Sequence, residues 1–314
     1  MEPIRHERLP EDRLRGIATF VHVMEAGSFA TAAARLRMTR SAVGKTIARL
    51  EKRLGVQLFR RSTRRLAPTE AAQAYYERCR RALSEIDAAE GALEQGRIGP
   101  RGRLRVSAPR AFGRHCVAPV LNSLVQQHAE LEFELSLSDR IVDLQAEGYD
   151  LAVRIGRLPD SSGLQARRLG TQRFAMFAAP AYLERHGLPR RPEDLEQHQA
   201  VSYAWPDRVH PWQLLDASGQ PREARVRRRL GFNDIDTIAD AVLAGQGLGR
   251  LPWWLARRWV ETGALVPVMP EAYAEDLPIH VVWPRSRFLP SKTRAAIDAL
   301  AAEAPRVLTL PGGP

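Results

Sequence analysis

Between Arg35 and Arg65 the chain carries two patterns that constrain each other. Val43, Ile47, Leu50 and Leu54 recur at the spacing of a helix face, so the stretch must bury one side. The same stretch, RLRMTRSAVGKTIARLEKRLGVQLFRRSTRR, holds eleven Lys or Arg and one acid, Glu51, which is +10 of the chain's formal +11. A segment that folds on its apolar side and is cationic on the other suits a polyanion. The pI near 10.5 agrees, and leaves nucleic acid or an anionic membrane surface as the partner. A membrane patch needs exposed apolar anchors beside the charge, and none is visible. Solubility alone does not require charge of one sign.

The flanking residues supply helix punctuation. Leu14, Ile17, Phe20, Val21 and Met24 form one apolar face of a first helix that Gly27 ends. Ser28 is placed to cap a short second helix carrying Phe29, Ala32, Ala33 and Leu36, and Thr39 to cap the third. Gly55 stops the third helix, whose outer face is Arg40, Ser41, Gly44, Lys45 and Arg49. Three short helices with a tight turn between the second and third predict a helix-turn-helix, which lays the third helix in the DNA major groove. Arg40, Lys45 and Arg49 suit guanine or phosphate, and Ser41 can donate or accept. Gly44 costs about 1 kcal/mol of helix propensity relative to Ala but leaves room for a close backbone approach. VQLFRRSTRRLAPT then predicts a hairpin wing, with Val56, Leu58 and Leu66 inward and Arg60, Arg61, Arg64 and Arg65 offered to phosphates. From Thr69 a long helix follows. Its Ala72, Tyr76, Cys79, Leu83, Ile86 and Leu93 make a heptad-like seam broken at Glu90, suited to pairing with a second copy; the alternative is a helix lying on its own domain.

A chain of 314 residues predicts two domains, and QGRIGPRGR has the Gly and Pro of a hinge between them. Beyond it, RLRVSAP, LEFELSLS, DLAVRIG, FAMFAAP, QAVSYAW, RVRRRLGF, LGRLP and PIHVVWP read as strands. Phe112–His128, Ile141–Glu147, Asp234–Ala244, Trp253–Thr262 and Lys292–Glu303 read as helices. This alternation predicts α/β layers with largely parallel strands and a ligand cleft at their carboxyl ends. In SAPRAF, Ser107, Arg110, Ala111 and Phe112 sit where a strand gives way to a helix, whose N–H groups suit an anion. Arg110 is a candidate clamp for a carboxylate. Arg154, Ser202, Tyr203, Phe232 and Asn233 stand at other strand ends. As a set they favour a small carboxylate or an aromatic acid.

Other motifs carry little. GQGLG follows a helix and precedes a strand, the reverse of a phosphate loop. His115–Cys116 lacks further ligands at metal spacing, so no metal or cofactor is expected. Cys79 and Cys116 read as reduced, packing thiols, and Trp253, Trp254 and Trp259 as helix packing. No nucleophile signature appears. The opening MEPIRHERLPEDRLRG has no apolar core, and no apolar run reaches bilayer length, so the expectation is a cytoplasmic protein that does not enter membranes.

FVHVMEAGSFATAAARLRMTRSAVGKTIARLEKRLGVQLFRRSTRRLAPTEAAQAYYERCR closely resembles the N-terminal domain of LysR-type transcriptional regulators, over roughly residues 14–95 without gaps. Gly27, Ser28, Phe29, Ser41, Ala42, Val43, Leu50, Glu51, Gly55, Leu58 and Phe59 are among those in register. Gly44 stands where Ser is usual, Arg40 where Gln is frequent, and Ala72 where Gly is usual. AYLERHGLP, YDLAVRIG and AGQGLGRLP carry a looser likeness to the family's effector domain, which is similar to periplasmic binding proteins. The resemblance implies a winged helix-turn-helix over 1–68, a linker and dimerisation helix over 69–95, a hinge over 96–102 and an effector domain over 103–304. Its lobe I would take 103–168 and 268–304 and its lobe II 169–267, with crossings near Leu169 and Val268 and a flexible tail over 305–314. It further implies a homodimer or homotetramer on double-stranded DNA, controlled by a small molecule bound between the lobes. The competing reading is an α/β enzyme tethered to nucleic acid by a basic module.

Overall fold

The computed structural model describes residues 12–61, 66–93, 99–159, 161–204, 212–215, 220–270, 276–286 and 288–308. The chain divides into two compact units, one of Met1–Ile98 with Gln145–Gly148 and Arg287–Ser291, the other of the remainder.

In the first unit, α1 (Asp12–Ala26), α2 (Phe29–Arg35) and α3 (Arg40–Leu54) enclose Phe20, Val23, Ala32, Val43, Ile47 and Leu50. The expected caps form: Ser28 Oγ accepts the Thr31 N–H at 3.0 Å and Thr39 Oγ1 that of Ala42 at 3.2 Å. Each side-chain cap contributes about 1 kcal/mol. Gly55 takes the left-handed conformation that ends α3. Two short antiparallel strands, β1 (Phe59–Arg61) and β2 (Leu66–Pro68), form the base of the wing. Phe59 meets the rings of Phe20 and Phe29, each 5.8 Å away between centroids, and so ties the wing to the helices.

Three residues expected inside are not. Leu14, Leu54 and Val56 are 46%, 36% and 44% exposed, while Val23 and Leu58 fill the core. Leu14 precedes the part of α1 that the other helices cover, and Leu54 and Val56 flank the Gly55 turn that leads the chain out. The seam on α4 (Glu70–Leu93) also divides. Ala72, Tyr76, Cys79 and Leu83 pack on the core of their own unit, whereas Ile86 is 37% exposed. The alternative of a helix lying on its own domain therefore holds for the first half of the seam.

In the second unit, nine strands join in the order β10-β7-β11-β6-β13-β5-β3-β4, with β12 also on β6. The strands are β3 (Gly102–Ala108), β4 (Leu131–Leu137), β5 (Leu151–Ile155), β6 (Leu164–Ala178), β7 (Gln199–Tyr203), β10 (Arg227–Phe232), β11 (Leu248–Pro252), β12 (Val266–Val268) and β13 (Asp276–Pro284); β8 (Trp212–Leu215) and β9 (Pro221–Ala224) form a separate hairpin. The sheet is mixed, not largely parallel: β3, β4 and β5 run parallel, as do β7, β10 and β11, but β6 and β13 run antiparallel to their neighbours. β6 is the spine. From Leu164 to Arg173 it pairs with β13, and from Phe174 onward with β11 and β12. Two lobes thus hang on one strand. Its first two thirds, LQARRLGTQR, are largely polar and only Gln172 there is buried, which hides the stretch from a reading based on apolar runs.

The helices are α5 (Arg110–Phe112), a π-helical turn (Gly113–Val117) and α6 (Ala118–Gln127) in direct succession, then α7 (Pro180–His186), α8 (Ile235–Leu243), α9 (Trp253–Glu261) and α10 (Ser291–Leu308). The helix expected at Ile141–Glu147 is absent: the chain forms a turn closed by the Tyr149 N–H on the Leu144 carbonyl. α10 outruns its expected end, and Ala304 is buried on it, so residues 305–308 are helix and not flexible tail. At its start, Lys292 Nζ meets Asp150 Oδ2 at 3.0 Å and donates to the Arg103 carbonyl, while the same Asp150 oxygen accepts the Arg105 N–H at 2.8 Å. GQGLG has a packing role. A Cβ on Gly247 would fall 2.6 Å from the Gln199 carbonyl oxygen, and one on Gly249 2.3 Å from a Val242 methyl.

Candidate nucleic-acid interface and candidate ligand cleft

α3 presents the face its sequence promises. Val43, Ile47 and Leu50 point into the core, while Arg40, Ser41, Lys45 and Arg49 are exposed. Its 15 residues make a rod about 22 Å long, with the capped N-terminus free of any acid in its first turn. Arg49 Nη lies 3.5 Å from Thr46 Oγ1. Thr39 is exposed and Ser28 half-buried, each still offering a hydroxyl near the helix starts. A Cβ on Gly44 would meet nothing of this chain within 4 Å, so the space outside α3 is open at that point.

Arg60 is exposed on β1, and Arg61 ends that strand. The Arg61 side chain, Arg64 and Arg65 lie outside the described residues. Nothing in the sequence marks Glu51 for a role, but the structure gives it one. Its Oε1 accepts the backbone N–H groups of Leu58 and Phe59 at 2.8 and 3.1 Å. The lone acid of the basic stretch thus fixes the wing's angle to α3. At this part-buried site the two bonds together contribute about 2–3 kcal/mol.

In the second unit a cavity of ≈ 440 Å³ opens between the lobes. Strand carboxyl ends build it: Arg110, Ala111 and Phe112 after β3, Ser202 and Tyr203 at the end of β7, Arg250 and Pro252 on β11. Gly113 lets the helix begin so close to the sheet, because a Cβ there would lie 2.4 Å from Leu137 Cδ2. Five expected residues therefore meet in one cavity. Four do not. Ile155 lines the cavity, and since neighbours on a strand face opposite ways, Arg154 points away. Its guanidinium donates to the Val142 carbonyl at 2.6 Å, and burial lowers its pKa against the opposing pull of Asp143. Ser107 is buried and lines a separate pocket of ≈ 90 Å³ with Arg154. Phe232 packs into the core beside α8, and Asn233 is exposed.

Several cavity residues went unread. The buried Gln172 belongs to the disguised part of β6, Phe174 opens the part that reads as a strand without being marked there as a lining residue, and Trp212 belongs to the unread hairpin. Trp254 packs in the core, as expected, but also lines the cavity, where its Nε1–H donates to Gln172 Oε1 at 2.9 Å. Arg250 has its guanidinium 5.5 Å from the centre of the Phe174 ring. Asp234 lines the cavity while capping α8. Burial works against its charge, but the N–H and hydroxyl of Thr237, with Arg110 and Arg114 nearby, hold its carboxyl below the ordinary range. Asp139, just after β4, could have been found by the strand-end rule that found Arg110.

Asp139 is the most connected of these. Its Oδ1 accepts the Arg110 N–H at 3.1 Å, its Oδ2 stands 3.6 Å from Arg110 Nε, and the Tyr203 hydroxyl donates to Oδ2 at 3.4 Å from the other lobe. Burial, and then the Asp139 charge, push the Tyr203 phenol up to about 12. A second link between the lobes joins His115 Nε2 to Asp236 Oδ1 at 2.8 Å, with the Phe112 and Trp254 rings edge to face at 5.4 Å. Cys116 is buried, and burial raises its thiol to about 12, far from a thiolate at neutral pH. Among the described residues no helix is long and apolar enough to cross a membrane.

Comparison with known proteins gives this geometry its context. Residues 14–73 match the family described as bacterial regulatory helix-turn-helix protein, lysR family, and residues 97–305 match the LysR substrate binding domain. An HTH-type transcriptional regulator of Haemophilus influenzae is 35% identical over 90% of this chain and 97% of its own length. The structure of CrgA, a LysR-type transcriptional regulator from Neisseria meningitidis, is similar with a TM-score of 0.61 and 32% identity, covering 92% of this chain and 98% of that one. The full-length Vibrio cholerae virulence activator AphB is similar with a TM-score of 0.59 and 26% identity, over 92% and 99% of the two chains. With a helix-turn-helix and a substrate-binding domain both matched, the chain belongs to the LysR family of bacterial transcriptional regulators.

Proposed function

We propose that this regulator reads DNA with α3 in the major groove, and that a small molecule in the inter-lobe cleft biases its action. The observation that carries the DNA reading is the outward face of α3. Arg40, Ser41 and Lys45 cluster at its N-terminal half, the part that reaches base edges in this motif. Ser41 and Arg40 select bases; Arg60, and with it Arg61, Arg64 and Arg65, hold the phosphate backbone. The protein binds a partly palindromic site as a dimer or a dimer of dimers. The exposed Ile86, beyond the part of α4 that packs on its own unit, favours pairing through the far half of that helix. In the second unit we take the lobe boundary at the change of strand partner between Arg173 and Phe174, with the return between Val268 and Asp276. A ligand with more affinity for one lobe arrangement shifts the population toward it.

Footprinting on the DNA beside its own gene tests the whole reading. Within it, Ser41→Ala relaxes base preference by about 1–3 kcal/mol per lost contact. Arg60→Ala weakens binding to every sequence alike and flattens the salt slope by about one unit. Equal losses on operator and random DNA for both variants would reject these roles.

A further inference from the structure

The start of the helix after β3 is the place where a ligand carboxylate was expected, with the Arg110 N–H and guanidinium to receive it. In the structure that seat is taken by the chain itself. Asp139 lies there, bound to both groups of Arg110 on one lobe and to the Tyr203 hydroxyl on the other. We infer that Asp139 acts as a built-in anion that sets the ligand class of the cleft: an uncharged aromatic molecule, not its carboxylate.

Three observations carry this. First, an incoming carboxylate at Arg110 would face the Asp139 carboxylate at hydrogen-bond range, and two like charges in a shared, half-enclosed site disfavour each other strongly. Second, the cavity's other acid, Asp234, accepts the N–H and hydroxyl of Thr237 at 2.9 Å each on one oxygen, Oδ1, and keeps its charge, so a carboxylate entering the cavity meets a second negative group. Third, the rest of the wall carries no charge and is rich in rings: Phe112, Phe174, Trp212 and Trp254 line the cavity, with Gln172, Ser202 and Gln213 as neutral polar groups. Its ≈ 440 Å³ lies within the range of small-molecule sites. The cavity's formal charges, Arg110 and Arg250 against Asp139 and Asp234, also cancel. Because Asp139 bridges two lobes, the same residue makes the closed arrangement available without a ligand anion.

The inference rests on the cleft being the ligand site, and the test separates the two ideas. Benzoate and benzamide share a ring and nearly a shape but differ in charge. Titrated into the full chain and followed by calorimetry, benzamide binds the wild type and benzoate binds at least tenfold more weakly. Asp139→Ala empties the seat, so benzoate gains at least tenfold relative to benzamide. Asp139→Asn keeps the side chain's shape and, through its Oδ1, the bond from the Arg110 N–H, while its amide N–H turns to donate to the Tyr203 oxygen and its charge is gone; it gives a smaller gain and serves if the alanine variant fails to fold. Phe174→Ala cuts one wall and weakens benzamide. If benzamide binds but ignores Phe174→Ala, the ligand sits elsewhere and the cleft reading falls, taking the role of Asp139 with it. If Phe174→Ala weakens benzamide but the benzoate-to-benzamide ratio stays unchanged in both Asp139 variants, only the role of Asp139 is overturned. Benzoate binding the wild type as well as benzamide, or no binding of either probe, also overturns it.

Discussion

On α3 and β1, Arg40, Lys45 and Arg60 stand exposed, and among the described residues no acid pairs with them. In the second unit, Arg103, Arg105, Arg110, Arg167, Arg173, Arg257 and Lys292 each meet a carboxylate within 4.0 Å. The same residue types therefore do two jobs. A cation already matched by an acid releases no counterions when DNA arrives, whereas an unmatched one does. Among these residues the contrast separates charge matched within the fold from charge left open to a partner, and net charge alone does not reveal it.

That contrast can be attacked one residue at a time. The largest effect belongs to Lys292→Ala. Asp150, only 8% exposed at its side chain, would lose its cation, and breaking a buried pair costs roughly 3–5 kcal/mol. Urea unfolding of the variant should show it; a loss below 1 kcal/mol would mean that the pair is solvent-screened after all. Glu51→Ala comes next. It strips the acceptor from two backbone N–H groups at the wing base, at a cost of about 2–3 kcal/mol, and DNA affinity should fall with it. Unchanged stability there would remove the carboxylate's place as the wing's anchor. Asp234→Ala removes the α8 cap for about 1 kcal/mol. Because the native carboxyl titrates below its ordinary value of 3.8, this contribution is whole above that pH and fades as pH falls through the lower native value. A stability difference between variant and wild type that grew on acidification would contradict the sign. Smallest in stability is Lys45→Ala, expected within about 0.5 kcal/mol of wild type, while the slope of log affinity against log salt shrinks by about 0.9 as one unmatched cation leaves the DNA-facing surface. A Lys45 variant that unfolds easily but binds normally would reverse the comparison.

The two units also differed in how openly the sequence declared them. In the first, local signals agree with one another: caps at Ser28 and Thr39, a stop at Gly55, and apolar residues at helical steps all name the same three helices. The errors there, Leu14, Leu54 and Val56, lie at the edges, where periodicity says which face is apolar but not how far neighbours cover it. The second unit depends on pairings distant in sequence. β6 was half missed because its first residues sit among polar neighbours and at the surface, and such a strand shows no alternation. The cleft was legible only where a residue follows a strand end directly, as Arg110 and Tyr203 do. Arg154 failed because strand-end position says nothing of facing. Asp139 could have been reached from sequence as a candidate, but that it would occupy the place of a ligand anion depends on a bond from Tyr203, 64 residues away.

β6 has a mechanical consequence. A lobe pair joined by loops swivels freely, but these lobes share a 15-residue ribbon about 50 Å long, laced to β13 along one stretch and to β11 along the next. Such a ribbon yields mainly by twisting, and its resistance rises with angle. Any rocking of the lobes is thus the winding of a torsion spring: small in amplitude, self-restoring once the load is removed, and felt along the ribbon's whole length.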